Sequence, residues 1–271
     1  DSLRADPDPP SVLNLLGDPT VLDLGTQSVA IVGSRHPDPS GRWAAREIAR
    51  TVAAAGPVVV SGMALGIDSC AHQGALGAPG GATVAVVGGG VDRVYPKSNA
   101  DLHARIMERG CVVSEMPPGT PVWKWSFPAR NRLIAALADL VVVVQAADRS
   151  GSLHTADAAL ARNRPLAAVP GPIDSEVCRG SNRLISDGAL MVTGLADPLA
   201  FLGLDAAPTC PAVSGELSAT WQLVAARGHA LRIELEGDRG DLVRRQLAEL
   251  ELLGAIVRDD GGGWRTASTR H

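Results

Sequence analysis

Val29-Ala-Ile-Val-Gly-Ser-Arg35 reads as a short strand that runs into a turn of small residues. Four apolar residues in succession leave no face for water, so this strand must be covered on both sides. Runs of the same kind recur at Val58–Val60, Thr83–Val87, Cys111–Val113, Leu140–Val144 and Leu166–Val169. Alanine-rich stretches of helical pattern separate them, over 40–55, 67–77, 99–109, 129–138 and 152–162. Buried strands alternating with helices predict an α/β domain over 28–203, a Rossmann-like, doubly wound parallel sheet.

Outward from that domain the composition changes. Residues 1–27 are rich in Pro and Asp, with one apolar patch from Val12 to Leu16, and read as a linker or the exit segment of a preceding domain. The sequence opens on Asp1 rather than Met, which fits that expectation. Residues 204–215 form a second linker by composition. Beyond it, 216–271 carries helical patterns at 216–226 and 241–253, then Ala255–Arg258 and Trp264–Thr266 around Asp259-Asp-Gly-Gly-Gly263. Helices followed by a hairpin predict a small C-terminal winged-helix-like domain. Its helix from Asp241 to Glu251 has mixed charge rather than a basic face, which favours protein contact or a structural role over DNA binding.

The 271 residues carry a net charge of −4, so a uniformly basic surface is excluded and any nucleic-acid site must be local. The apolar runs, such as Leu140 to Val144, are far too short to span a bilayer, and no basic-then-apolar leader opens the chain. The expected location is cytoplasmic, without membrane contact. Cys70, Cys111, Cys178 and Cys210 lack metal-ligand spacing and are expected to be reduced and structural. No metal or cofactor is expected.

In open parallel sheets, ligands sit beyond the carboxyl ends of the strands. Four loops qualify: Gly33-Ser34-Arg35, Ser61-Gly62 through Asp68, Gly88-Gly89-Gly90 and Ser150-Gly151-Ser152. Small residues and free backbone N–H groups at helix starts favour phosphates. A dinucleotide is disfavoured, because the first loop is not Gly-x-Gly-x-x-Gly and the second strand ends in Ser61 rather than an acid. There is no Walker A frame and no Gly-x-Ser-x-Gly elbow.

The chain is 3 % aromatic, yet Trp123-Lys-Trp-Ser-Phe-Pro-Ala-Arg-Asn-Arg132 places three aromatics within five residues, interleaved with basic residues and free of acids. Cations meet phosphates and flat rings stack on unpaired bases, so this segment predicts single-stranded DNA held by Lys124, Phe127, Arg130 and Asn131. His72, four residues after Asp68, is expected in a structural hydrogen bond. Glu115 stands alone, with no neighbouring acid or nucleophile, so no catalytic residue is assigned.

The ordered set of motifs closely resembles the DNA-processing protein A (DprA/Smf) family of natural transformation. It comprises Val29–Arg35, Ser61–Asp68 with Ala71-His72, Tyr95-Pro96, Ser114-Glu115, Phe127–Arg132, Ser150–Ala156, Val169–Gly171, Gly180–Ile185 and Gly188-Ala189. The resemblance implies an extended Rossmann fold, binding of single-stranded DNA, delivery to the RecA recombinase in competence and recombination, and resistance to displacement by single-strand-binding protein. It implies a DNA pocket using Arg35, Lys124 and Phe127, and a homodimer surface at Asn182, Leu184, Ile185 and Met191. The rival reading is a nucleotide-processing phosphoribohydrolase of similar fold. Against it, Asp148-Arg-Ser-Gly-Ser-Leu-His-Thr155 stands where those enzymes carry Pro-Gly-Gly-x-Gly-Thr and a glutamate.

Overall fold

Ser28–Val32 (β2) runs through the middle of the sheet, and every one of its residues is buried. The computed structural model describes residues 3, 6–22, 26–204, 217, 220, 221, 224, 238–252, 255–258 and 264–266. In chain order the larger unit contains β1 (Asn14–Gly17), β2, α1 (Pro39–Ala54), β3 (Val58–Ser61), α2 (Ile67–Gly77), β4 (Thr83–Val86), α3 (Ala100–Arg109) and β5 (Gly110–Ser114). It continues with α4 (Ser126–Ala136), β6 (Leu140–Val143), α5 (Leu153–Leu160), β7 (Leu166–Ala168), α6 (Arg179–Ser186), β8 (Leu190–Met191) and α7 (Asp197–Phe201).

The eight strands lie in the order β1-β5-β4-β3-β2-β6-β7-β8, all parallel from β5 to β8. Alternation along β2 divides the core. Val29 and Ile31 join α1 and α2 residues such as Ile48, Val52, Ile67 and Ala71. Ala30 and Val32 join Leu133 and Ile134 of α4 and Ala156 and Ala159 of α5 on the opposite face. Each fully buried Val, Ile or Leu contributes about 1.5–3 kcal/mol relative to exposure, so two covered faces are what hold these short strands. Asp38 starts α1 by accepting the Gly41 amide at 2.8 Å, a bond that holds its carboxyl below the usual range.

One segment departs from the sequence reading. Asn14–Gly17, assigned by composition to a linker, forms β1 and pairs antiparallel with β5. Upstream, Asp6 pairs with Arg162 at 2.6 Å and Asp8 with Arg132 at 2.9 Å. Period-2 patterning cannot find a four-residue edge strand that is only half covered.

The chain divides into two units, residues 1–205 and 206–271. The second contains α8 (Asp238–Leu252) and an antiparallel hairpin of β9 (Ile256–Arg258) and β10 (Trp264–Thr266). Trp221, Val224, Leu247, Leu250, Ala255 and Ile256 form its small core. The rest of the expected winged helix, and Cys210, lie outside the described residues. Cys70, Cys111 and Cys178 are free and buried, and burial pushes the Cys111 thiol up to about 12, with Asp18 adding to the shift. Among the described residues no helix is long and apolar enough to cross a membrane.

Candidate nucleic-acid interface

The strand order reverses between β2 and β6, and a cavity of about 500 Å³ opens there, beyond their carboxyl ends. Three loops build it. Gly33-Ser34-Arg35 leaves β2, with the Ser34 amide donating to the Gln145 carbonyl at 2.6 Å. Gln145 Oε1 also accepts the Asp38 amide at 3.2 Å, so one residue after β6 ties the first loop to the start of α1. Gly66 has φ +82°, and a Cβ there would stand 2.3 Å from the Ser34 carbonyl oxygen; only glycine lets the second loop press against the first. On the other side, Asn131 of α4 donates to the Gly151 carbonyl at 3.1 Å, and the Ser150 and Ser152 hydroxyls lie 2.8 Å apart. The first turns of α4 and α5 both face the cavity, through Phe127 and Pro128 and through His154 and Thr155, which favours an anion.

Of the residues assigned from sequence, Gly33, Ser34, Arg35, Phe127, Asn131, Ser150, Gly151 and Ser152 come together in the cavity lining. The Arg35 guanidinium lies over the Phe127 ring at 4.9 Å, and Tyr95 packs against the same ring at 5.7 Å. Lys124 is exposed three residues before Phe127 and is not among the lining residues.

Ser61, Gly62 and Arg130 require a correction: they stand behind the cavity wall. Ser61 is buried and donates to the Ile31 carbonyl at 2.6 Å. Arg130, 6 % exposed, donates through Nη1 to the carbonyls of Gly62 and Val86 and through Nε to Asn131 Oδ1 at 3.2 Å. Burial lowers its pKa to about 10. Asp68 accepts the Ala64 amide at 3.3 Å, and burial raises its pKa although Arg130 favours the charged form. These groups hold the second loop to α4, leaving Arg130 little to offer a phosphate.

The Gly88-Gly89-Gly90 loop is a second correction. A Cβ on Gly88 would lie 2.9 Å from Ser126 Oγ, and one on Gly89 2.8 Å from a Val122 methyl. The run lets the segment before α4 lie against the end of β4; it is packed against protein and open to no ligand. Glu115 is ion-paired with Arg132 at 2.5 Å, away from the cavity. His72 takes the structural role read from the sequence: its Nδ1 meets Thr83 Oγ1 at 2.7 Å.

Sequence reasoning assigned no site role to Arg149, His154, Gln145 or Tyr95, although Tyr95 and His154 lie in motifs of the resemblance. Arg149 directly precedes Ser150-Gly-Ser152 beyond β6, so the switch-point rule plus its charge could have found it. Tyr95 is 32 residues from Phe127 and only the fold joins them. Arg35, Lys124 and Arg149 form no ion pair among the described residues.

Residues 1–203 match the family model described as DNA recombination-mediator protein A. The chain belongs to this family. It is 38 % identical over 190 residues to DNA processing protein DprA of Bacillus subtilis, covering 70 % of this chain and 63 % of that protein. The Mycobacterium tuberculosis relative is matched over 50 % of its length and the Escherichia coli Smf protein over 70 %, so the chain spans only part of the curated relatives it matches. The crystal structure of Streptococcus pneumoniae DprA superposes with a TM-score of 0.69 at 40 % identity, covering 73 % of this chain and 69 % of that one. A Helicobacter pylori DprA structure, described as showing a single-stranded DNA binding mode, gives 0.69 at 33 % identity, covering 74 % and 91 %. The family's Rossmann-like α/β fold is therefore shared by this chain.

Proposed function

We propose that this chain binds single-stranded DNA in the cavity at the switch point and acts in DNA processing without catalytic turnover. The observation that carries the reading is Arg35 over Phe127 in the cavity lining, with Arg149 in the same lining and Lys124 exposed three residues before Phe127 in the chain, none of the three cations ion-paired among the described residues. Cations close to an accessible ring suit a strand whose phosphates and base faces are both within reach. Helicobacter pylori DprA, at 33 % identity, is described as binding the same ligand.

Delivery of the strand to RecA during natural transformation, resistance to single-strand-binding protein and a cytoplasmic site of action extend this proposal and rest on family membership. So does a homodimer through α6 and β8. There Leu184 and Ile185 are half-buried, Met191 is 50 % exposed on the edge strand, and Asn182 is engaged with both backbone groups of Gly171 at 2.9 Å. The C-terminal unit is proposed as a winged-helix-like domain joined by 204–215.

A titration of single- and double-stranded DNA of equal length at two salt concentrations tests the central claim. The single strand binds more tightly and weakens as salt rises. Equal affinity for both forms, or binding of neither, would overturn the reading.

A further inference from the structure

Trp123 and Trp125 stack on one another, with ring centroids 5.6 Å apart and planes 11° from parallel. They are 43 % and 57 % exposed, and neither belongs to a buried cluster of the described residues. A surface aromatic pair is ordinarily loose, but this one is anchored. Ser126, which is buried, donates through Oγ to the Trp123 carbonyl at 2.8 Å, and its amide donates to the same carbonyl at 3.2 Å. Ahead of it, Val122 is seated on the glycine run after β4. The backbone that carries the pair is thus fixed, and each ring restricts the other, which lowers the ordering cost of using their outer faces.

Their sequence neighbours point to the ligand. In the chain Lys124 separates the two tryptophans, Phe127 of the cavity lining follows two residues after Trp125, and the segment from 116 to 138 contains no acid. A partner for this patch must offer flat unsaturated faces together with negative charge. Unpaired nucleobases on a phosphate backbone do so, and a strand in the cavity brings them to its mouth.

We propose that the Trp123–Trp125 pair is an outer stacking platform that holds a base of the single strand beyond the cavity. This rests on the single-stranded DNA reading above. Its consequence is length dependence: the platform is engaged only by strands that reach past the cavity.

The test compares oligothymidylates of about 4 and about 16 nucleotides on wild type, Arg35→Ala, the double variant Trp123→Ala/Trp125→Ala and the double variant Trp123→Phe/Trp125→Phe. The expected result for the double alanine variant is a loss of about 5-fold or more on the long strand with the short strand unaffected. The phenylalanine variant keeps most of the long-strand affinity, because a ring remains. Wild-type long-strand affinity in the double alanine variant, with Arg35→Ala still weakening the short strand, overturns the platform and leaves the cavity reading standing. Equal losses on both lengths also overturn it, since the tryptophans would then be shaping the cavity. If wild type binds neither strand, the functional reading itself fails and the platform with it.

Discussion

Arg130 and Arg35 carry the same charge at opposite sides of one cavity wall, and the fold treats them in opposite ways. Behind the wall, Arg130 has exchanged water for the carbonyls of Gly62 and Val86 and the amide oxygen of Asn131. A guanidinium survives burial only when its donors are met like this, and once met they are committed. At the mouth, Arg35 is exposed, has no ion pair among the described residues and rests on the Phe127 ring. Its donors remain available to a phosphate. A basic residue in a candidate binding motif therefore falls to architecture or to recognition according to what the fold offers it, and charge alone does not distinguish the two.

The largest effect is expected behind the wall. Arg130→Ala removes the side-chain donor to two buried carbonyls, and with it a cation that favours ionised Asp68, and should destabilise the larger unit by about 2–5 kcal/mol, most of it from the carbonyls. Urea denaturation measures this. A loss below about 1 kcal/mol would mean that Arg130 is not the tie between the second loop and α4.

A second effect also belongs to the buried side. Thr83 Oγ1 donates to the Val59 carbonyl at 2.6 Å, so it accepts from His72 Nδ1, leaving Nε2 unprotonated, and that atom has no partner among the described residues. Burial, with Arg130 adding to it, lowers the His72 pKa to about 3. The unfolded state takes up a proton near pH 6.5 and the folded state only near pH 3, so the neutral imidazole's contribution is complete above about pH 6.5 and is lost as pH falls towards 3. Across that window stability should fall by up to about 1.4 kcal/mol per pH unit. His72→Asn, which keeps a donor for Thr83, should flatten the profile; an unchanged acid limb would show that other groups set it.

How much of this was legible in the sequence follows the same division. The apolar runs and alanine-rich helices identify the sheet because burial on both faces leaves its mark residue by residue. The aromatic–basic segment marks the mouth, because Phe127 and Lys124 are within a few positions of each other. Arg130 stands in the same segment, three positions after Phe127, and Ser61-Gly62 in a loop of small residues beyond a strand, yet neither signal tells a wall from a surface. Whether an arginine donates to Gly62 and Val86 or to a ligand depends on contacts 68 and 44 residues away in the chain, which spacing cannot reveal. Gly88–Gly90 misleads for a related reason: a glycine that admits a phosphate and one that admits Val122 look identical in sequence.

At the mouth, the ring should matter more than either cation. Phe127→Ala should reduce single-strand affinity by about 1–3 kcal/mol, the usual value of one base stack. Fluorescence-detected titration at fixed salt measures it, and urea denaturation should show a much smaller change, since Phe127 is only half-buried. An affinity equal to wild type would confine the ring to supporting Arg35.

The smallest effect separates the two arginines most directly. Each phosphate neutralised on a single strand contributes about 0.7 to the slope of log affinity against log salt, whatever its contribution to affinity at one salt concentration. Arg35→Ala and Lys124→Ala should each flatten that slope by about 0.7, and the double variant by about 1.4. Arg130→Lys keeps the charge behind the wall while losing the forked guanidinium geometry. It should lower stability, and affinity through the displaced second loop, yet bind with the wild-type slope, because no phosphate contact has been removed. If instead Arg130→Lys leaves stability untouched while a neutral replacement flattens the slope as Arg35→Ala does, the buried arginine turns outward when DNA arrives and the wall is part of the binding surface. Salt dependence thus tests the comparison between the two sides without requiring any variant to bind tightly.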